Sequence, residues 1–273
     1  MRCLALCLLL ATASPSAEVA PASAGPPVIA PGEVTEFTAP LSEQLRRVAG
    51  GGPLSRFEVA LAAVAVPKDF TPDRTWPVLI VSSTSDLGYN SSRALLRQFA
   101  APALRAGWIV VAADPPAEVA VKDDTNALRY ALVAAALARL HGPWPRLARW
   151  PRAFGGFSGG AKRSAWLAAL SAREGYQPLG VFQAGCNQPV MIDALDGYRP
   201  GRDRFLATPV FLSSGTDDRI ATPGAMRDVA ADLRAAGFGH VRLESFSGRH
   251  QVNPDHLEQA LRWFIAVAAG AAR

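Results

Sequence analysis

Short apolar runs alternating with helix-forming stretches constrain this chain more than any other feature. Residues 57–66, 77–82, 108–113, 152–157, 179–184, 208–213 and 240–246 read as strands, the first closed by Pro67 and the third by Asp114. Between them, residues 92–105, 124–140, the stretch from 159 to about 172, 222–237 and 254–269 read as helices, with Asp123 or Asp124 placed to cap the second, and the stretch from 185 to about 207 reads as a loop. Strands that are apolar throughout suit a sheet covered on both faces, and intervening helices suit parallel pairing. The fold class expected is therefore α/β, a mostly parallel sheet with helices on both faces. Ligands in such sheets sit at the carboxyl ends of the strands, where the loops gather. With 273 residues, 49% of them hydrophobic, the chain can bury one substantial core.

The amino terminus predicts export. Arg2 precedes an apolar core at residues 4–10, and small-residue cleavage options follow at Ala11-Thr12-Ala13 and Ala22-Ser23-Ala24. That apolar run is well short of the ~20 residues needed to cross a bilayer, and no later segment reaches that length, so no membrane span is expected. Residues 1–24 are read as a signal peptide and 25–56 as a partly disordered leader rich in Ala, Pro, Ser and Gly. Residues 57–273 are the folded domain of a secreted or periplasmic protein. Cys3 and Cys7 fall in the signal, leaving Cys186 alone, so no internal disulfide is expected. The net charge of +5 is scattered apart from Arg199, Arg202 and Arg204, and forms no dense stripe with interleaved aromatics. That argues against a nucleic-acid partner. The sequence sets no oligomeric state.

Chemistry enters at Gly156-Phe157-Ser158-Gly159-Gly160, with an apolar run before it and a helix-forming run after it. A serine is a weak nucleophile unless a sharp strand-to-helix turn lifts its hydroxyl toward a base. Flanking glycines allow that turn, and the following helix aims unpaired N–H groups at developing negative charge. The five residues alone are a weak signal, so the base and the acid have to come from elsewhere in the chain.

Four histidines are candidates for the base. His141 ends a helix, His240 begins a strand at the far end of the sheet, and His256 lies in the first turn of the last helix. His250 alone follows a strand on a loop at the active end. For the acid, Asp217 and Asp218 follow the penultimate predicted strand; Asp218 is favoured, with Asp217 shaping the turn. Cys186 reads as a small buried core residue. The His and Cys spacings fit no zinc pattern, and no Gly-rich phosphate loop is present. No metal and no cofactor are therefore expected.

Ser158, Asp218 and His250 in that order resemble the α/β-hydrolase-fold serine hydrolases. The secreted esterase, polyester-depolymerase-like and dienelactone-hydrolase-like branches are the most similar in pattern. The resemblance spans residues 57–269. It is carried by Val66-Pro67-Lys68-Asp69-Phe70 leading to Trp76-Pro77-Val78-Leu79-Ile80, by the Gly156–Gly160 turn, by Gly215-x-x-Asp218, and by His250 before a final helix. It implies Ser158 as nucleophile, His250 as general base and then acid, and Asp218 as the residue that orients the imidazole. One departure stands out. Where the family commonly places His-Gly or Gly-Gly, this chain has Ser82-Ser83-Thr84-Ser85-Asp86. The oxyanion N–H groups are expected from Gly159 and Ser85, with Thr84 the next candidate. The activity implied is hydrolysis of a small-molecule or polymeric carboxylic ester under a light lid or none. A peptidase or amidase using the same residues, or a non-catalytic binding protein of the same fold, are the alternatives.

Overall fold

The computed structural model describes residues 25–50 and 57–270. Its strands are β1 (Val34–Pro40), β2 (Val59–Ala65), β3 (Val78–Ser82), β4 (Ile109–Asp114), β5 (Arg152–Phe157), β6 (Pro178–Ala184), β7 (Val210–Gly215) and β8 (Val241–Phe246). Its helices are α1 (Glu43–Val48), α2 (Ser92–Arg105), α3 (Asn126–His141), α4 (Gly159–Arg173), α5 (Val190–Tyr198), α6 (Arg202–Leu206), α7 (Pro223–Ala235) and α8 (Pro254–Ala268). One eight-stranded sheet runs β1-β2-β4-β3-β5-β6-β7-β8. β1 and β2, and β2 and β4, pair antiparallel, and every pair from β4 onward is parallel.

Alternate side chains along each strand feed two separate cores. Val78 and Ile80 of β3 enter one, together with Leu132 of α3, Leu167 of α4 and Met226 of α7. Leu79 and Val81 enter the other, with Phe99 of α2 and Leu261 and Phe264 of α8. Central strands β3 and β4 are buried along their whole length, whereas β8, at one margin, is only half-buried. Unbroken apolar runs in the sequence thus mark strands with a helix layer on each side.

Three expectations need correction. The leader expected over 25–56 contains β1, which pairs with β2 over its full length, and α1, so the sheet begins well before residue 57. Its Ala- and Pro-rich composition concealed a strand whose Ala39 is fully buried. The stretch at 187–207 holds α5 and α6 rather than a plain loop. Neither Asp123 nor Asp124 caps α3. Thr125 does, its hydroxyl accepting from Leu128 N, and Asp124 is buried in an ion pair instead. The expected signal peptide, residues 1–24, lies outside the described residues.

Candidate active site

β5 delivers Ser158 to the carboxyl edge of the sheet, and α4 starts at the next residue. Ser158 has φ 54° and ψ −121°, a region that L-residues occupy at a cost of about 1–3 kcal/mol. Two glycines make the turn possible. A Cβ on Gly156 would lie 2.2 Å from Gly160 O, and one on Gly160 would lie 2.1 Å from Ser82 O. Strand, turn and helix therefore meet backbone to backbone, with β3 closing behind them.

β7 and β8 bring the other two groups. His250 Nδ1 lies 2.7 Å from Asp218 Oδ2. The Asp218 carboxylate is 4% exposed, and its other oxygen accepts from Ile220 N and Ala221 N, both at 2.8 Å. An ionised carboxylate can only accept, so Nδ1 carries the proton and Nε2 is left with its lone pair. The imidazole packs against Phe157, with ring centroids 4.6 Å apart, and its Nε2 is buried without a hydrogen-bond partner. Ser158 and His250 line one cavity of about 680 Å³. The hydroxyl does not hydrogen-bond Nε2 in this arrangement; such contacts often tighten only when substrate arrives.

No family model matches the chain, and no curated protein matches it in sequence. Solved structures do. An α/β serine hydrolase homologue from Coxiella burnetii matches with TM-score 0.56 and 15% identity, over 86% of this chain and 98% of that one. A lidless α/β serine hydrolase from Xanthomonas campestris gives TM-score 0.53 and 19% identity, over 88% and 97%. A dienelactone hydrolase from Anabaena variabilis gives TM-score 0.53 and 15% identity, over 88% and 99%. This is the α/β-hydrolase fold.

Within the α/β-hydrolase fold, the cavity over Ser158 is bounded by Leu95, Phe157 and Ile220 on apolar sides and by Thr84 and Asp86 near the serine. Tyr89 and Ile220, 79% and 62% exposed, stand at its mouth. Of the oxyanion candidates, Thr84 rather than Ser85 is beside the elbow. A Cβ on Gly159 would fall 2.3 Å from Thr84 Oγ1, and Thr84 lines the cavity whereas Ser85 does not. The Ser85 hydroxyl accepts from Arg163. Asp217 shares the turn of Asp218 but is exposed, and its N–H donates to Gly248 O.

The remaining candidates lie apart from this hydrolase-fold cavity. His256 Nδ1 is 2.9 Å from Ser213 Oγ, and burial pushes its pKa down. Cys186 is fully buried, and burial pushes its thiol up to about 11. Arg199, Arg202 and Arg204 are exposed, and none lines the cavity. Among the described residues no group of three or more His, Cys, Asp or Glu is placed to hold a metal, and no helix is long and apolar enough to cross a membrane.

Sequence reasoning missed a buried ionic network just beneath the cavity. Arg129 donates to Asp124 at 2.6 Å and to Asp114 at 2.7 Å, and Arg163 donates to Asp124 at 3.0 Å. Asp114 also accepts from Ser92 N at 2.7 Å, Arg93 N at 3.0 Å and Ser91 Oγ at 2.8 Å, where α2 begins. Burial pushes the Asp124 carboxyl upward, but the hydrogen bond and charge of Arg129, then of Arg163, outweigh it and hold the group below the ordinary 3.8. A buried carboxylate with two guanidinium partners stays ionised.

Proposed function

We propose that the protein is an exported serine hydrolase that cleaves carboxylic esters through an acyl-enzyme. The observation that carries this reading is the Asp218–His250 pair at 2.7 Å, which leaves Nε2 without a partner on a side chain that lines the same cavity as Ser158 on its strained turn. Ser158 Oγ attacks the ester carbonyl carbon as its proton passes to Nε2. Asp218 steadies the resulting imidazolium without taking the proton. The carbonyl π pair moves to oxygen, where the N–H groups of Gly159 and Thr84 receive it. As the carbonyl re-forms, the C–O bond to the alcohol breaks and Nε2 returns its proton to the leaving alkoxide. A water then repeats the sequence on the acyl-enzyme and frees the acid and Ser158.

The substrate class follows from the walls. An open cavity of about 680 Å³ with Leu95, Phe157 and Ile220 along it suits an ester with an apolar acyl or alcohol part, whether a small molecule or a segment of a polymer. The fold shared with a dienelactone hydrolase accords with this reading. Export rests on the pattern of residues 1–24.

The test is labelling with a fluorophosphonate, whose phosphorus Ser158 Oγ attacks with loss of fluoride. Wild type is expected to label and to hydrolyse p-nitrophenyl butyrate, and Ser158→Ala to do neither. Faster turnover of an acyl p-nitroanilide than of the matching ester would replace the esterase with an amidase. Folded wild type that never labels would leave a binding protein.

A further inference from the structure

We infer that Arg163 is a positioning residue for the oxyanion-binding peptide between Ser83 and Thr84, an inference that rests on the ester-hydrolase reading above. Arg163 lies on α4 and is 5% exposed. Its Nη1 donates to Ser83 O at 2.9 Å and, more weakly, to Thr84 O at 3.5 Å. Its Nη2 donates to Ser85 Oγ and to both the carbonyl and the carboxylate of Asp124, at 3.1 and 3.0 Å. One guanidinium thus ties down three consecutive residues of the loop that faces Ser158.

Peptide geometry makes the first of those bonds consequential. Ser83 C=O and Thr84 N–H belong to the same planar unit, and no peptide bond among the described residues is cis. In a trans peptide the oxygen and the N–H point in opposite directions. Holding Ser83 O inward on Arg163 therefore turns Thr84 N–H outward. That N–H has no protein acceptor among the described residues, and its residue lines the cavity beside Gly159. Donation from a cation to the carbonyl also polarises the unit and strengthens its N–H as a donor.

The rest of the network supports this role. The loop has no glycine from Ser82 to Leu87, so its course is not set by the backbone freedom that a His-Gly or Gly-Gly turn would supply. Instead Arg163 holds one end through Ser83 and Ser85, while Arg129 and Asp114 hold the other at Asn90 O and at the start of α2. Arg129 and Arg163 face Asp114 and Asp124, and Arg93 reaches Asp114 at 3.3 Å while also pairing outward with Glu36, so every charge in the cluster has an opposite partner.

The experiment uses the full chain, with p-nitrophenyl butyrate as substrate and a trifluoromethyl ketone as the tetrahedral mimic. Arg163→Met is expected to lower kcat about ten- to a hundredfold, short of the loss of a whole oxyanion donor, with KM held within about threefold. The ketone should bind more weakly by the same factor as kcat falls. Arg163→Lys, which keeps the charge but reaches fewer acceptors, should recover part of the loss. Where Arg163→Met alone fails to fold, Arg163→Met with Asp124→Asn removes an ion pair together and leaves Arg129 balanced by Asp114. A folded variant with unchanged kcat, or with its loss confined to KM, overturns the inference. Wild type that fails to react with fluorophosphonate overturns the hydrolase reading instead, so the two failures are distinct.

Discussion

Replacing Asp218 with asparagine exchanges one oxygen for a nitrogen and reverses the hydrogen-bond logic of the imidazole. In the native arrangement Oδ1 accepts from Ile220 N and Ala221 N, both at 2.8 Å, and Oδ2 faces His250 Nδ1. Asparagine must choose which end meets which partner. Turning its NH2 toward the two backbone N–H groups leaves both donors unmet, at roughly 1–3 kcal/mol each or about 2–6 kcal/mol together. Its oxygen therefore stays with the backbone and its NH2 faces Nδ1. Nδ1 must then accept, the proton moves to Nε2, and the imidazole cannot take a proton from Ser158. If only the flipped amide supports turnover, kcat falls by about 30-fold to about 20,000-fold. That range includes the ~10⁴ loss that the same change causes in the Ser-His-Asp triad of a serine protease. The assay is kcat on p-nitrophenyl butyrate from about pH 6 to 9, with the melting temperature as the check on folding. Asp217→Asn, at an exposed site on the same turn, is the control and should stay within about threefold of wild type. Asp218→Asn retaining kcat within about tenfold, or Asp217→Asn losing more, would refute the tautomer argument.

Two further outcomes follow from the packing beneath the cavity. Gly160→Ala puts a methyl 2.1 Å from Ser82 O, so β3 and α4 must separate. Overpacking of this kind costs about 1–3 kcal/mol, or roughly 2–12 °C of Tm, and because the elbow itself shifts, kcat should fall by more than the stability loss alone implies. Asp124 supplies the pH dependence. Its carboxyl is held below the ordinary 3.8 in the folded chain, so its contribution to stability is present above that value and is lost as pH falls through the lower folded one. Urea midpoints measured from about pH 5 to 3 should drop steeply for wild type and less steeply for Asp124→Asn.

The sequence made the sheet and the elbow legible because both are written in local patterns. β5, α2 and the start of α4 follow from apolar runs, a serine cap and paired glycines within a few residues of one another. The place after a strand points to the Asp217-Asp218 pair as the source of the acid and the Gly215-x-x-Asp218 pattern to its second member, and the structure sets Asp218, not its neighbour, against His250. The ionic network was not legible. Arg163 in an alanine-rich helix looks like any surface cation, and Asp124 beside Asp123 looks like a helix cap. Only the way α3 and α4 pack together shows that both side chains turn inward. The available signal was Arg129, set among Leu128, Ala131 and Leu132 on a strongly apolar helix, where an unmatched charge would be costly. β1 was missed because Val34, Thr35, Phe37 and Thr38, which favour a strand, are set in an Ala- and Pro-rich stretch that reads as leader.

His250 and Ser158 are not held equally firmly. Ser158 follows β5, which has a strand on each side, while His250 follows β8, which among the described strands pairs only with β7 and is half open to solvent. Margins of a sheet loosen before its middle does. Gentle heat or dilute urea should therefore disarm this protein while most of its scaffold is intact, and cooling should restore it without a full refolding step. Its working lifetime is set at that outermost ribbon.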